Sequence, residues 1–234
     1  MLGLGNSITS GAALSEFSLD QISGLQLWLK NGEGVTAAQW NDSSGNSNHV
    51  AQSDSSKQGA VEDGGIDFAT GDHYDLTSTI TTSTFTTFVA MEPDSGDRMT
   101  FFSSSDQNDF LRINQTADNE FRTKRADNSL DLVVSHSTDF SFEGNGGVEK
   151  FIVMFRQEAD NTVTIGVNND LDNFALANST GSNLILEVLG AQGSTGANGF
   201  NGTIYEVAVY NEVLSASNTT LIREDIANRV GITL

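Results

Sequence analysis

The stretch Phe200-Asn-Gly-Thr-Ile-Tyr-Glu-Val-Ala-Val-Tyr-Asn-Glu-Val-Leu214 constrains the fold more than any other part of the chain. In an extended chain successive side chains point to opposite sides. Ile204, Ala208 and Tyr210 would then face one way, and Tyr205, Val207 and Val209 the other. A strand that is apolar on both faces belongs inside a layered structure rather than on its surface. Glu206 lies in the middle of this strand. A carboxylate there requires a partner, because burying an unpaired charge is strongly unfavourable.

The rest of the chain supplies partners for such a strand. Extended signals fall at residues 24–29, 35–40, 66–68, 74–76, 85–91, 99–103, 110–114, 121–125, 130–135, 151–155, 162–167 and 184–189. Turn signals separate them, among them Asn31-Gly32, the polar run 41–48, Pro93 with Gly96, and Asn145-Gly146-Gly147. A recurrence of about ten residues is that of a β-sandwich. Beyond residue 215, Leu221, Ile222, Ile226 and Val230 fall at helical spacing, with Ser215 or Ser217 as cap, Arg229 near the end and Gly231 after it. These mark one helix at about 216–230. Gly190, Gly193, Gly196, Gly199 and Gly202 recur at every third position. With no proline among them, they predict a mobile loop rather than a collagen-like segment.

Residues 1–18 carry a single charge, Glu16, and are too rich in small residues to pack as a helix. They predict an extended arm, either frayed or docked on a neighbour through Leu2, Leu4, Ile8 and Leu14. Residues 19–234 then form one domain. The overall expectation is an all-β jelly-roll sandwich of two antiparallel sheets, with one short C-terminal helix and an extended N-terminal arm.

Charge narrows the function classes. The chain has 31 acidic against 11 basic residues, a net charge of −20. A nucleic-acid binder needs a basic footprint, so that class is disfavoured. No unbroken apolar run of about 20 residues occurs, so no membrane partner is expected. There is no Cys, hence no disulfide and no thiolate zinc site. The start lacks the basic and apolar regions of a secretory signal. His49, His73 and His136 are scattered and read as loop or surface residues. Trp28 and Trp40 could form a sugar platform, although large aromatics more often fill sandwich cores.

The ordered set of Gly24-Leu-Gln-Leu-Trp-Leu29, Trp40-Asn-Asp-Ser-Ser-Gly-Asn-Ser-Asn-His49, Gly65-Ile-Asp-Phe68, Asp72-His-Tyr-Asp-Leu76, the strand at 85–91 and the 200–211 strand carries a resemblance. Together with Leu214-Ser215 it resembles the concanavalin A-like lectin/glucanase superfamily, in its laminin-G-like branch. The resemblance spans roughly residues 20–232 and departs from the common pattern at Tyr205, where such domains often carry Asp. It implies a jelly roll and a structural calcium held near the polar turn, for which Asp42, Asn46 and Glu206 offer hard oxygens. The alternative is that Asp42 caps its own turn and Glu206 accepts N–H bonds. Glucanases of this superfamily place Glu-x-Asp-x-x-Glu on one strand for acid and nucleophile roles. The nearest match, Glu158-Ala-Asp160-Asn-Thr-Val163, ends in Val, so no enzyme is expected.

The opening MLGLGNSITSG is similar to the starts of structural proteins of marine tailed phages. With the missing catalytic pair, the Cys-free chain without a secretion signal, the uncharged arm and the acidic surface, it points to a non-catalytic virion protein made in the host cytoplasm and displayed on the particle exterior. It would be a decoration, baseplate or fibre component anchored by its arm to other virion proteins, as a homo-oligomer. The alternative is a carbohydrate-binding, lectin-like module for cell-surface glycans.

Overall fold

The computed structural model describes residues 17–94, 98–114, 120–125, 131–137, 149–158, 162–175 and 183–234. The strands, in chain order, are β1 (Leu25–Leu29), β2 (Gln39–Trp40), β3 (Val50–Ala51), β4 (Ala60–Glu62), β5 (Gly65–Phe68), β6 (Tyr74–Thr82), β7 (Phe85–Pro93), β8 (Met99–Ser103), β9 (Phe110–Ile113), β10 (Glu120–Lys124), β11 (Asp131–Ser135), β12 (Phe151–Gln157), β13 (Thr162–Val167), β14 (Asp170–Ala175), β15 (Leu184–Leu189) and β16 (Gly202–Tyr210). One helix, α1 (Ala216–Val230), closes the chain. Sheet A runs β14-β13-β12-β7-β16-β5-β4, with β1 also paired to β16. Sheet B runs β11-β10-β9-β8-β15-β6-β3-β2. The pairings within both sheets are antiparallel.

Two apolar layers explain why β16 is buried on both faces. Between the sheets, Ile204, Val207 and Val209 pack with Trp40, Phe68, Phe101, Phe121, Phe155 and Leu186. On the other side of sheet A, Tyr205, Ala208 and Tyr210 pack with Trp28, Phe88, Met154, Ile222, Ile226 and Val230. The strict alternation expected from the sequence fails at one point. A register shift between Ile204 and Glu206 bulges β16 against β7, so Ile204 joins Val207 and Val209 in the sandwich core. Tyr205 instead joins Ala208 and Tyr210 under the helix. An extra residue in one strand of an antiparallel pair has this effect.

The helix is defined at both ends. Ser215 Oγ accepts from the Asn218 N–H at 3.2 Å, and Gly231 adopts a left-handed φ of 80° with its N–H donating to Ala227 O at 2.8 Å. Ile222, Ile226 and Val230, four residues apart, form the stripe that meets sheet A. Leu221 belongs to the helical pattern but is 44% exposed, because it lies off that stripe.

The Gly-rich run 190–202, expected as a mobile loop, packs closely on its neighbours. Gly190 has φ 88°, and a Cβ there would stand 2.2 Å from the Phe68 ring. Gly196 has φ 74° and would put a Cβ 2.7 Å from Gly71 O. The glycines let this loop lie directly on its neighbours, which the period of three alone does not reveal. The loop then hydrogen-bonds across, with Phe200 N donating to Gly190 O at 2.7 Å and Gln192 N to Ala197 O at 2.8 Å.

The chain has three tyrosines, and all of them are buried. Burial pushes the Tyr74 hydroxyl up to about 12. Burial also raises Tyr205, helped by Glu92, and raises Tyr210. The folded state thus favours the neutral phenols. Their contribution to stability is complete below the unfolded value of about 10 and is lost as pH rises through the folded values. Absorbance at 295 nm should show no tyrosinate forming near pH 10 while the fold persists, then a cooperative rise together with unfolding. A tyrosine titrating near 10 in the folded protein would contradict this packing.

Candidate functional site

Glu206 is fully buried on the helix side of β16, and its two oxygens are matched by protein donors. Trp28 Nε1 donates to Oε1 at 2.8 Å. Arg229 donates from Nε to Oε2 at 2.8 Å and from Nη2 to Oε1 at 3.1 Å. The Asn31 N–H reaches Oε2 at 3.4 Å. Arg229 also donates to Asp225 one turn earlier in α1. Burial pushes the Glu206 carboxyl up, opposed by the Arg229 guanidinium, the indole and the Asn31 N–H. Burial would lower Arg229, but Glu206 and Asp225 outweigh it and raise the guanidinium. The result is a fork-to-fork ion pair that ties the last turn of the helix to the centre of sheet A.

Asp42 is engaged in a similar way. Its Oδ1 accepts from the Trp28 N–H at 2.8 Å and the Ser44 N–H at 2.9 Å. Its Oδ2 accepts from Ser44 Oγ at 2.8 Å and the Asn48 N–H at 2.9 Å. Asn46 Nδ2 donates to Leu25 O at 2.8 Å, fastening the same turn to β1. Asp42 and Glu206 therefore both reach Trp28, one at its backbone and one at its indole, through oxygens already met by N–H and O–H donors. This is the hydrogen-bonded alternative to calcium. Among the described residues, no group of three or more His, Asp or Glu is placed to hold a metal ion. Leu2, Leu4, Ile8 and Leu14 lie outside the described residues.

A cleft of about 660 Å³ opens beside this network, lined by Phe17, Ser18, Trp28, Lys30, Asp225, Asn228 and Arg229. Trp28 offers no free ring face there. It is 4% exposed, with Lys30 Nζ 5.0 Å and Arg229 Cζ 5.5 Å from the ring centroid. Trp40 is wholly buried in the sandwich core.

The outer face of sheet B has a different character. Leu111, Ile113 and Phe121 point into the core. The alternate residues Phe110, Arg112, Arg122 and Lys124 therefore share the opposite face. Arg112 and Arg122 are direct cross-strand partners, and so are Phe110 and Lys124. Thr100 of β8 pairs with Arg112 on its other side, and Arg98 lies just before β8. Both guanidiniums stack on Phe110, with Arg112 Cζ 4.3 Å and Arg122 Cζ 5.2 Å from the ring centroid. Arg112 donates from Nε to Thr100 Oγ1 at 3.0 Å and from Nη2 to Gln192 Oε1. Gln192 Oε1 also accepts from Asn198 Nδ2 at 2.7 Å, so the Gly-rich loop borders the arginines. Burial, with the charges of Arg98 and Arg122, pushes the Arg112 guanidinium down to about 10, still cationic at neutral pH. Arg122 forms a forked pair with Asp131, at 2.9 Å and 3.0 Å. The sequence reading passed over this cluster. Its signal is Arg112 of β9 followed by Arg122 and Lys124 at alternate positions of β10, in an acidic chain.

A scan of protein-family models and a search of curated protein sequences returned no match. Solved structures do resemble the fold. One is the Ruminococcus gnavus IT-sialidase CBM40 bound to α2,6 sialyllactose, with TM-score 0.54, 16% identity, and 68% of this chain covering 95% of that one. Another is the Trypanosoma rangeli sialidase in complex with sialic acid, with TM-score 0.59, 12% identity and 91% of this chain covered. This chain spans about a third of that sialidase, 34% of its length. These likenesses concern the fold alone, a jelly-roll β-sandwich of two antiparallel sheets with one C-terminal helix among the described residues.

Replacing Glu206 with Ala strands the indole N–H and leaves Arg229 paired with Asp225 alone, and should lower stability by about 1–3 kcal/mol in urea unfolding. Treatment of the wild-type protein with a chelator should leave its melting temperature unchanged. A drop of several degrees on chelation would show that a cation, not Arg229, completes the site.

Proposed function

We propose that this chain is a non-catalytic glycan-binding module whose ligand surface is the outer face of sheet B together with the loop at 190–202. The observation that carries the reading is the contrast between the two outer faces. That of sheet A is covered around β16 by α1 and filled with apolar side chains. That of sheet B presents Arg122, Lys124, Gln192 and Asn198, with Arg112 buried among them, beside a loop fixed by its own hydrogen bonds. Fixed polar and charged groups on a rigid sheet are what a soluble sugar needs for orientation. The structural neighbours support the choice of ligand class, since one is a CBM40 bound to sialyllactose and another a sialidase bound to sialic acid.

The virion reading draws on the missing catalytic pair, the Cys-free chain without a secretion signal, the acidic surface and the arm at residues 1–18, most of which lies outside the described residues, and none of the likenesses bears on it. Glycan binding therefore replaces it as the main reading. The full chain should bind at least one glycan on an array of neutral and acidic oligosaccharides. Titration of the isotope-labelled protein with that glycan should move amide signals of β8, β9, β10 and residues 190–200. Binding that moves only signals around Trp28 and α1 would put the ligand in the cleft instead, and no binding across the array would refute the reading.

A further inference from the structure

We propose that the cleft beside Trp28 is a second ligand site, separate from the outer face of sheet B, and that it takes an uncharged, hydroxyl-rich ligand of the neutral-sugar class. The helix that forms one wall packs on the outer face of sheet A, so the site does not depend on the surface proposed above.

Three stretches far apart in sequence build the cleft, and each is held by bonds that a ligand need not make. Phe17 and Ser18 lead into a short turn, Leu19–Gln21, whose buried Leu19 accepts from the Tyr210 hydroxyl at 3.1 Å. Trp28 lies on β1 and Lys30 just after it, with the indole bound to Glu206. Asp225, Asn228 and Arg229 belong to the last turns of α1, which Arg229 ties to Glu206. Walls fixed in advance lose little freedom when a ligand arrives. The volume of about 660 Å³ falls within the range of small-molecule sites.

The charges around the cleft are already matched to one another. Arg229 is held by Glu206 and Asp225, and Lys30 by Glu33 at 2.5 Å. An entering anion would have to displace one of these carboxylates, on a chain of net charge −20. An entering cation would meet both Lys30 and Arg229. Neither sign is favoured, which leaves an uncharged ligand.

The polar groups left over suit hydroxyls. Ser18 stands at the start of the Leu19–Gln21 turn without capping it, and neither its hydroxyl nor the Asn228 side chain has a hydrogen bond among the described residues. A hydroxyl and a primary amide each donate and accept, and so match ligand hydroxyls, which do the same. Asp225 gives Oδ2 to Arg229, and its Oδ1 remains as a further acceptor.

Phe17 supplies the apolar side. Among the described residues every Trp and Tyr is buried, and so is every Phe except Phe17 and Phe174. Of those two, Phe17 lines the cleft, half-buried and packed against the cluster of Trp28 and Tyr210. A sugar ring carries hydroxyls around its edge and C–H groups on its faces. One face would meet the Phe17 ring while the edge meets Ser18, Asn228 and Asp225.

The test titrates the isotope-labelled full chain with lactose, maltose and cellobiose, and with sorbitol, which has the hydroxyls but no ring. At least one disaccharide should saturably shift the Trp28 indole N–H and the amides of residues 17–18 and 225–229, with a Kd unchanged between low and high salt. Sorbitol should bind several-fold more weakly. Asn228→Ala and Ser18→Ala should each weaken the disaccharide by about three- to tenfold. Phe17→Leu, which keeps apolar bulk but loses the ring, should weaken it by a similar factor. Melting curves check that each variant keeps the fold, and Ser18 and Asn228 have no internal side-chain bond whose loss would disturb it. Shifts that none of the three substitutions weakens, or binding lost at high salt, would overturn the inference. Sorbitol binding as tightly as the best disaccharide would overturn the sugar assignment in favour of an open-chain polyol. If no disaccharide moves these signals up to tens of millimolar, the cleft is not a neutral-sugar site, and the reading of the sheet B face stands or fails on its own titration.

Discussion

A buried carboxylate can be the least stable part of a protein or the point that fixes its architecture, and Glu206 takes the second role. It sits on β16, which pairs along its length with β7 and on its other edge with β5 and then β1. Desolvating that carboxylate costs several kcal/mol on its own. Trp28 from β1, Asn31 just after it and Arg229 from α1 offset the cost together. Trp28 lies 178 residues from Glu206 along the chain and Arg229 lies 23, so the network forms only when sheet and helix are both in place. Mutual attraction with the helix C-terminus adds to the placement of Arg229. Hydrophobic burial drives the layers together, while this one ion pair selects how the helix sits on the sheet.

The helix packs on the outer face of sheet A around β16, on the far side of the sandwich from sheet B. The inner side of sheet B is fully engaged in the core, from Trp40 and Val50 to Phe121. Its outer side carries the side chains that alternation leaves over. The Gly-rich loop sets Gln192 against Arg112 because glycines at 190 and 196 let the backbone approach Phe68 and Gly71 more closely than a Cβ permits.

Much of this was legible in the sequence, and the exceptions have physical causes. The double-sided apolar pattern of residues 204–210 fixed the central strand, and the Ser215 cap with Gly231 fixed the helix. The side-chain assignment within β16 was off at Ile204 and Tyr205, because a bulge breaks the period of two and no residue type announces it there. β4 is exposed at all three positions and β3 has two residues, so neither carries an alternating signal. β14 carries Asp170 and Asp172 and reads as an acidic loop, although pairing to β13 makes it an edge strand. The Glu206 partners were foreseen as N–H donors or a cation, but Arg229 was read only as a helix-end residue. Distance along the chain hides such pairs. The arginine face leaves little trace for another reason: β9 carries the single cation Arg112, and β10 mixes Glu120 with Arg122 and Lys124.

The account places β16 at the centre of the molecule, held on both faces and both edges. Native-state hydrogen exchange of the full chain tests this most directly, since protection reports which segments open only on global unfolding. The account predicts that the amides of Val207, Ala208 and Val209 exchange in the slowest class, with an opening free energy equal to that of global unfolding, and that Glu206→Ala lowers both together. If β16 exchanged by local opening, faster than β8 and β9 of sheet B, the strand would not be the element on which the rest depends.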